Sequence, residues 1–323
     1  MQEQESRASS QSPDLEQLLR RAMEFAKGAK ARSTIKAYAS DFRDFESFCA
    51  VHGLSALPAE PQTVAMYIAD RASTLAAGTI TRRLTSITRA HREADYKDSP
   101  ASSSHAIVGE TLRGIRRALG TAQKGKDPLL ASDIRKIVKS CPANIAGLRD
   151  RCLVLIGFAG AFRGAELASI EVRDLSFSDD GVVIHLRTSK TDQESAGRKV
   201  AIPFSSDREA CSVRALQLWL RTADISEGLV LRGVDRLGRV SRRGLWKDSI
   251  GTILKKAAAR AGMKIESIAG HSLRAGHATQ SALNHVEERT IARQTGHRSM
   301  AMLRRYIRNA EMFRDNSAAH LGI

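Results

Sequence analysis

The stretch Ile291–Arg308, IARQTGHRSMAMLRRYIR, decides how the rest of the chain is read. On one unbroken helix, the nine-residue step from His297 to Tyr306, at about 100° per residue, would put the two on opposite faces. Gly296 argues for a break before the histidine, and Ser299 is a good N-cap. His297 is therefore expected on the turn entering a helix, with Tyr306 about two turns further on. Met300, Leu303 and Ile307 share a face that would anchor this helix to a core, and Tyr306 lies at its rim. Taken alone, a helical tyrosine is more often a packing residue than a nucleophile. Its role depends on what the other residues supply.

Composition narrows the classes. The 323 residues are 42% hydrophobic and 27% charged, as expected of a globular chain of about two domains. The formal charge of +16 and a pI near 10.2 favour nucleic acid as partner over an anionic membrane, through phosphate neutralisation and counterion release. No signal peptide or membrane-spanning apolar run is evident, so a cytoplasmic, DNA-associated protein is expected. Cys49, Cys141, Cys152 and Cys211 are scattered without CxxC spacing, which points to a reducing compartment and no structural zinc. Aromatic residues make up only 5%, too few for a base-stacking platform.

Working outward, 1–13 is polar and Ser/Gln-rich, expected as a disordered tail. Residues 14–119 read as an all-helical domain. Leu15, Leu18, Leu19 and Met23 recur on one face, and a helix from a Ser33-Thr34 cap turns Tyr38, Phe42, Phe45 and Phe48 inward. After the connector Leu57–Pro61, Thr63 is expected to cap the next helix. Gly78-Thr79 opens another, with Ile80, Leu84 and Ile87 apolar, and a last helix ends at Gly120. The polar stretch 120–127 reads as a linker. Nineteen basic and 14 acidic residues precede Asp127, and 32 basic and 21 acidic follow from it, so both halves are positive. Domain 128–323 opens with helices at Ser132–Lys139 and Leu148–Ala159. A small antiparallel meander follows, from Leu175–Phe177, Val182–Arg187 and Lys199–Pro203. Helices resume at Ser212, interrupted by a Gly/Arg-rich loop over Arg232–Gly244. The fold class is mainly α (α+β).

Several side chains stand out. Arg163 follows a buried apolar run, where a charge must be paired or meet an anion, and Glu166 is in reach to orient it. His271 and Arg274, three apart near a helix start, place two donors on one side where phosphate is also favoured. Lys190 lies in Arg187-Thr188-Ser189-Lys190-Thr191-Asp192, at the tip of a strand pair. His277 and His185 read as structural. Each signal alone is modest.

The ordered set Arg163, Lys190, His271-x-x-Arg274, Gly296-His297 and Tyr306 resembles the tyrosine recombinase (phage integrase) family over the whole chain, nearest its Cre-like members. The connector Leu-Pro-Ala-Glu-Pro, the helix Thr79–Arg92 and the ending Tyr306-Ile307-Arg308-Asn309 have Cre-like counterparts. Two positions depart: Cre itself has tryptophan where this chain has His297, and Met302-Leu303 replace a frequent threonine pair.

The resemblance implies a C-shaped DNA clamp and a nucleophilic Tyr306 that forms a 3′-phosphotyrosyl link. Arg163 and Arg274 would hold the non-bridging oxygens, and His271 and His297 would handle protons. Lys190 would protonate the leaving oxygen, with Glu166 in support. No cofactor and no metal are implied. The partner would be double-stranded DNA with inverted-repeat sites, recombined through a Holliday junction by a homotetramer whose C-terminal tail docks in trans. Lys36, Arg82, Arg83 and Ser86, with Arg242, Arg243 and Lys247, are candidate groove or phosphate contacts. A type IB topoisomerase-like enzyme and a non-catalytic DNA-binding relative are the alternatives.

Overall fold

The computed structural model describes residues 13–28, 31–96, 105–121, 125–187, 197–297, 299–311 and 321. Most of the expected N-terminal tail, part of the linker, Lys190 and nearly all of segment 312–323 lie outside them. The chain forms two compact units, Met1–Gln123 and Lys124–Ile323.

The first unit holds α1 (Pro13–Gly28), α2 (Arg32–Val51), α3 (Pro61–Arg71), α4 (Ala77–Glu93) and α5 (Ala106–Leu119). Phe45 and Phe48 of α2, Tyr67 and Ile68 of α3, Ile80, Leu84 and Ile87 of α4, and Val108 and Leu112 of α5 form its core. Helix α3 starts at Pro61, whose fixed φ and missing N–H suit a first helical position. Thr63, expected as its cap, is instead buried inside the helix. The connector before α3 is tied to α4 by His91, whose Nε2 accepts from the Ala59 N–H at 3.0 Å. In α1 the expected apolar face forms but stays open, with Leu15, Leu18, Leu19 and Met23 all exposed.

The second unit is built around α7 (Ile145–Ala159), which follows α6 (Ala131–Lys139). Helix α7 is apolar nearly all round, so it is buried on every side, and Asn144 caps it by accepting from the Gly147 N–H at 2.9 Å. A short α8 (Gly164–Ser169) leads into a three-stranded antiparallel sheet ordered β1 (Leu175–Phe177), β2 (Gly181–Leu186), β3 (Arg198–Pro203). Its register pairs Leu186 with Arg198, so the segment holding Lys190 leaves and re-enters the sheet at that pair. Helix α9 (Ser212–Thr222) packs on α7 and buries Trp219, whose Nε1 donates to the Val230 carbonyl at 2.8 Å.

The region read as a Gly/Arg-rich loop is a two-stranded antiparallel sheet, β4 (Arg232–Val234) and β5 (Val240–Gly244). Its strands are short and hold three arginines and two glycines, so they carry no apolar alternation for a sequence reading to find. Helices α10 (Lys247–Arg260), α11 (His271–Leu283), α12 (Glu288–Thr295) and α13 (Met300–Glu311) complete the unit. Gly276 lets the chain at Leu129 cross directly over α11: a Cβ there would lie 1.9 Å from the Leu129 carbonyl oxygen. Leu303 and Ile307 of α13 bury against Ala278 and Ala282 of α11 and Ile291 of α12, with Met300 and Tyr306 packed alongside.

Candidate active site

Helix α13 begins after a break, as the sequence suggests. Gly296 closes α12 in the left-handed region at φ +63°, a conformation glycine adopts without strain, and His297 follows on the turn. This geometry brings His297 and Tyr306 together, their ring centroids 6.1 Å apart. His271, at the start of α11, faces the same tyrosine: its Nε2 lies 2.6 Å from the Tyr306 hydroxyl.

His297 has a defined partner. Its Nδ1 is 2.7 Å from the Thr295 hydroxyl, and that hydroxyl donates its one proton to the Ile291 carbonyl, also at 2.7 Å. Toward His297 the threonine oxygen must therefore accept. The neutral imidazole then carries its proton on Nδ1 and presents the Nε2 lone pair. Burial, then the charges of Arg274, Arg163, His271 and Arg198, push the His297 pKa down to about 4, so the ring is neutral at pH 7. Burial, then Arg274 and Arg163, also lower that of His271.

Arg274 is 1% exposed. One terminal nitrogen donates to the Ala161 carbonyl at 2.9 Å and to the Thr295 carbonyl, while Nη2 is buried with no partner among the described residues. Burial and the neighbouring Arg163 charge pull its pKa down to about 10. A buried guanidinium nitrogen left unpaired is costly, and an anionic oxygen is what would satisfy it.

Arg163 is the N-cap residue of α8. Its backbone N–H donates to Glu166 Oε2 at 3.0 Å and its Nη1 to Oε1 at 2.6 Å. Glu166 is 3% exposed. Burial works against its charge, but the two bonds from Arg163, with the Arg163 and Arg198 charges, hold its carboxyl below the usual carboxylate range. The sequence reading missed Arg198, which donates to Glu166 Oε2 at 3.3 Å and to the Gln294 carbonyl at 2.7 Å. It also passed over Thr295 and Gln294. The signal for Arg198 was slight: an arginine where β3 begins, directly after the lysine-bearing segment.

The structure thus brings Arg163, Glu166, His271, Arg274, His297 and Tyr306 into one neighbourhood, while Lys190 lies outside the described residues. His277 bonds the Phe158 carbonyl at 2.9 Å, which accounts for it structurally. The expected DNA contacts fare unevenly. Lys36, Arg242, Arg243 and Lys247 are exposed. Arg82 is exposed but held by Asp41 through two bonds of 2.7 and 2.9 Å, and Arg83 is engaged with Asp44 and Tyr67. Ser86 is 2% exposed and donates to the Arg83 carbonyl at 2.8 Å, so it offers no surface and is withdrawn as a contact.

Comparison with known proteins identifies the family. Residues 128–312 match the phage integrase family. An integrase/recombinase xerD homolog from Selenomonas ruminantium is 40% identical over 290 residues, covering 90% of this chain and 85% of that one. The recombinase cre of Escherichia phage P1 is 25% identical over 304 residues, 88% of this chain and 86% of its own. Among solved structures, the Tn1549 transposon integrase in complex with transposon right-end DNA superposes with a TM-score of 0.64 at 14% identity, covering 92% of this chain and 98% of that one. A lambda integrase dimer bound to a COC′ core site gives 0.60 at 16% identity, with 90% and 93% covered. With a family match over most of the second unit and a 40% identical relative along nearly the whole length, the chain belongs to the phage integrase family, and it is a tyrosine recombinase.

Proposed function

We propose that the chain carries out conservative site-specific recombination with Tyr306 as nucleophile. The observation that carries this reading is the Tyr306 hydroxyl, held 2.6 Å from His271 Nε2 on a helix that packs within the same chain. The hydroxyl oxygen attacks the scissile phosphorus and gives its proton to His271. The bond from phosphorus to the 5′ oxygen breaks, and that oxygen takes a proton from Lys190. A 3′-phosphotyrosyl link and a free 5′-hydroxyl result, and attack by the 5′-hydroxyl of the partner strand reverses the step. Arg163, oriented by Glu166, and the unpaired Nη2 of Arg274 stabilise the charge on the non-bridging oxygens, while the Nε2 lone pair of His297, beside Tyr306, serves as a second proton acceptor.

Charge stabilisation therefore comes from protein cations, and the reaction proceeds without metal or nucleotide triphosphate. Four copies of the chain bring two inverted-repeat sites together and exchange strands through a Holliday junction. The support is family membership together with a lambda integrase tetramer bound to a Holliday junction among the structural neighbours. Lys36, Arg242, Arg243 and Lys247 contact the duplex, and Arg82 does so through whichever donors Asp41 leaves open. Segment 312–323 docks on a neighbouring copy. The protein works in the cytoplasm, where its DNA is.

The test is a plasmid bearing two target sites, beside a plasmid bearing one, with a nicked suicide substrate to trap the covalent complex. Recombinant product only from the two-site plasmid, together with a trapped phosphotyrosine, is expected. Relaxation of the one-site plasmid without recombinants would replace this reading with a topoisomerase.

A further inference from the structure

We infer that Arg198 is a positioning residue for strand cleavage, its guanidinium clamping the Glu166–Arg163 pair to the Gly296–His297 turn so that both meet the phosphate as one unit. The inference rests on the reading of the site given above. The Arg198 side chain is 19% exposed and bridges two elements far apart in sequence: Nη2 to Glu166 Oε2 at 3.3 Å and Nη1 to the Gln294 carbonyl at 2.7 Å. Glu166 in turn fixes Arg163 through both its carboxylate oxygens. Gln294 stands three residues before His297, and its own side-chain amide donates to the carbonyls of Ala159 and Ala201 at 3.1 and 3.2 Å. Helix α12 is thereby tied to both α7 and β3, next to the histidine.

Gly296 completes the arrangement. A Cβ at that position would lie 3.0 Å from Arg198 Nε, 3.1 Å from Cζ and 3.2 Å from Cδ, so the guanidinium occupies the notch that the glycine leaves. Arg198 Nε is buried without a partner among the described residues. Arg198 also carries its charge close to Arg163, and to Arg274. Three guanidiniums sharing one buried region with a single carboxylate disfavour the free protein. That cost makes sense where a phosphate arrives. Arg198 opens β3 opposite Leu186, at the base of the segment that holds Lys190, so the same side chain links that base to both halves of the site.

The test compares Arg198→Gln, Arg198→Lys and Arg163→Gln in the full chain on two nicked suicide substrates. One has the ordinary scissile phosphodiester and the other an uncharged methylphosphonate. DNA affinity and thermal midpoint are measured alongside. On the phosphodiester, Arg198→Gln should bind within about twofold of the parent yet cleave roughly 10²-fold more slowly, the scale of one lost oxyanion donor. Arg198→Lys should recover part of that rate, since an ammonium reaches one of the two partners. The methylphosphonate lacks the charge that Arg163 serves, so both glutamine variants should fall much less on it. Unchanged cleavage by Arg198→Gln, equal slowing on the two substrates, or slowing matched by lost affinity would each overturn the inference while Arg163→Gln stays slow. Should Arg163→Gln itself cleave normally, the reading of the site fails first, and the role of Arg198 falls with it.

Discussion

The His271 imidazole and the Tyr306 hydroxyl, 35 residues apart in sequence, meet at 2.6 Å where α13 packs on α11. The contact exists because Leu303 and Ile307 seat α13 on Ala278 and Ala282, which turns the rim of that helix toward the first residue of α11. Tyr306→Phe keeps the packing ring and loses only the hydroxyl. It should bind DNA as the parent does and form no covalent adduct on a nicked suicide substrate. Adduct formation at the parent rate would require another nucleophile.

Thr295 acts on the same site one step removed. Its side chain is buried, and its hydroxyl is the acceptor that sets the His297 tautomer. Thr295→Val removes that acceptor with little change of shape, leaving Nδ1–H unpaired. The expected cost is about 1–3 kcal/mol of stability. Cleavage should slow about tenfold, equivalent to about 1.4 kcal/mol in the barrier, without loss of DNA affinity. Thr295→Ser should restore most of the rate. A valine variant as fast as the parent would show that the His297 tautomer is not controlled from this position.

The depressed histidines give the fold a pH signature. His297 is pushed to about 4, and His271 and His277 are lowered too, each first of all by burial. The unfolded chain protonates its histidines near 6.5, so between about 4 and 6.5 it binds more protons than the folded one. Stability from this source is complete above about 6.5 and is lost as pH falls toward about 4. Thermal midpoints should therefore decline on acidification through that window. His297→Asn, which has no titrating ring, should flatten part of the slope. An identical slope in the variant would remove His297 from the account.

What was legible in the sequence followed local signals. The break at Gly296, the apolar face of α13 and the three meander strands were readable because spacing and turn residues mark them. The β4–β5 sheet was read as a loop because Arg232–Val234 and Val240–Gly244 offer arginine and glycine in place of alternation. Ser86 stands with Arg82 and Arg83 among the expected contacts, yet a small hydroxyl can fold back on its own helix, as it does to the Arg83 carbonyl. Arg198 was invisible for a different reason. Its partners lie 32 and 96 residues away, and an arginine at a strand end ordinarily faces water.

If arginines and Lys190 supply the positive charge at the phosphate, cleavage should persist in excess EDTA. Binding should meanwhile weaken steeply with salt, because each neutralised phosphate contributes about 0.9 to the log–log slope on duplex DNA. Cleavage abolished by EDTA and restored by a divalent ion would sink the mechanism.

Lys190 is the remaining assignment, made from the family motif, and it separates into two roles that experiment can tell apart. A lysine has an ordinary pKa near 10.4, so it is charged at neutral pH and has a proton to give. Arginines close to it would lower that value and a phosphate would raise it. As a general acid, Lys190 would protonate the leaving 5′ oxygen; as a clamp, it would only neutralise the phosphate. An alkoxide is a poor leaving group, so loss of its proton donor should slow cleavage by roughly 10²–10⁴-fold. Sulfur at the 5′-bridging position departs readily without protonation. Lys190→Ala should accordingly be slow on ordinary DNA and near the parent rate on the 5′-thio substrate. Equal slowing on both would leave Lys190 as a clamp, and the acid would have to be sought among the other residues around Tyr306.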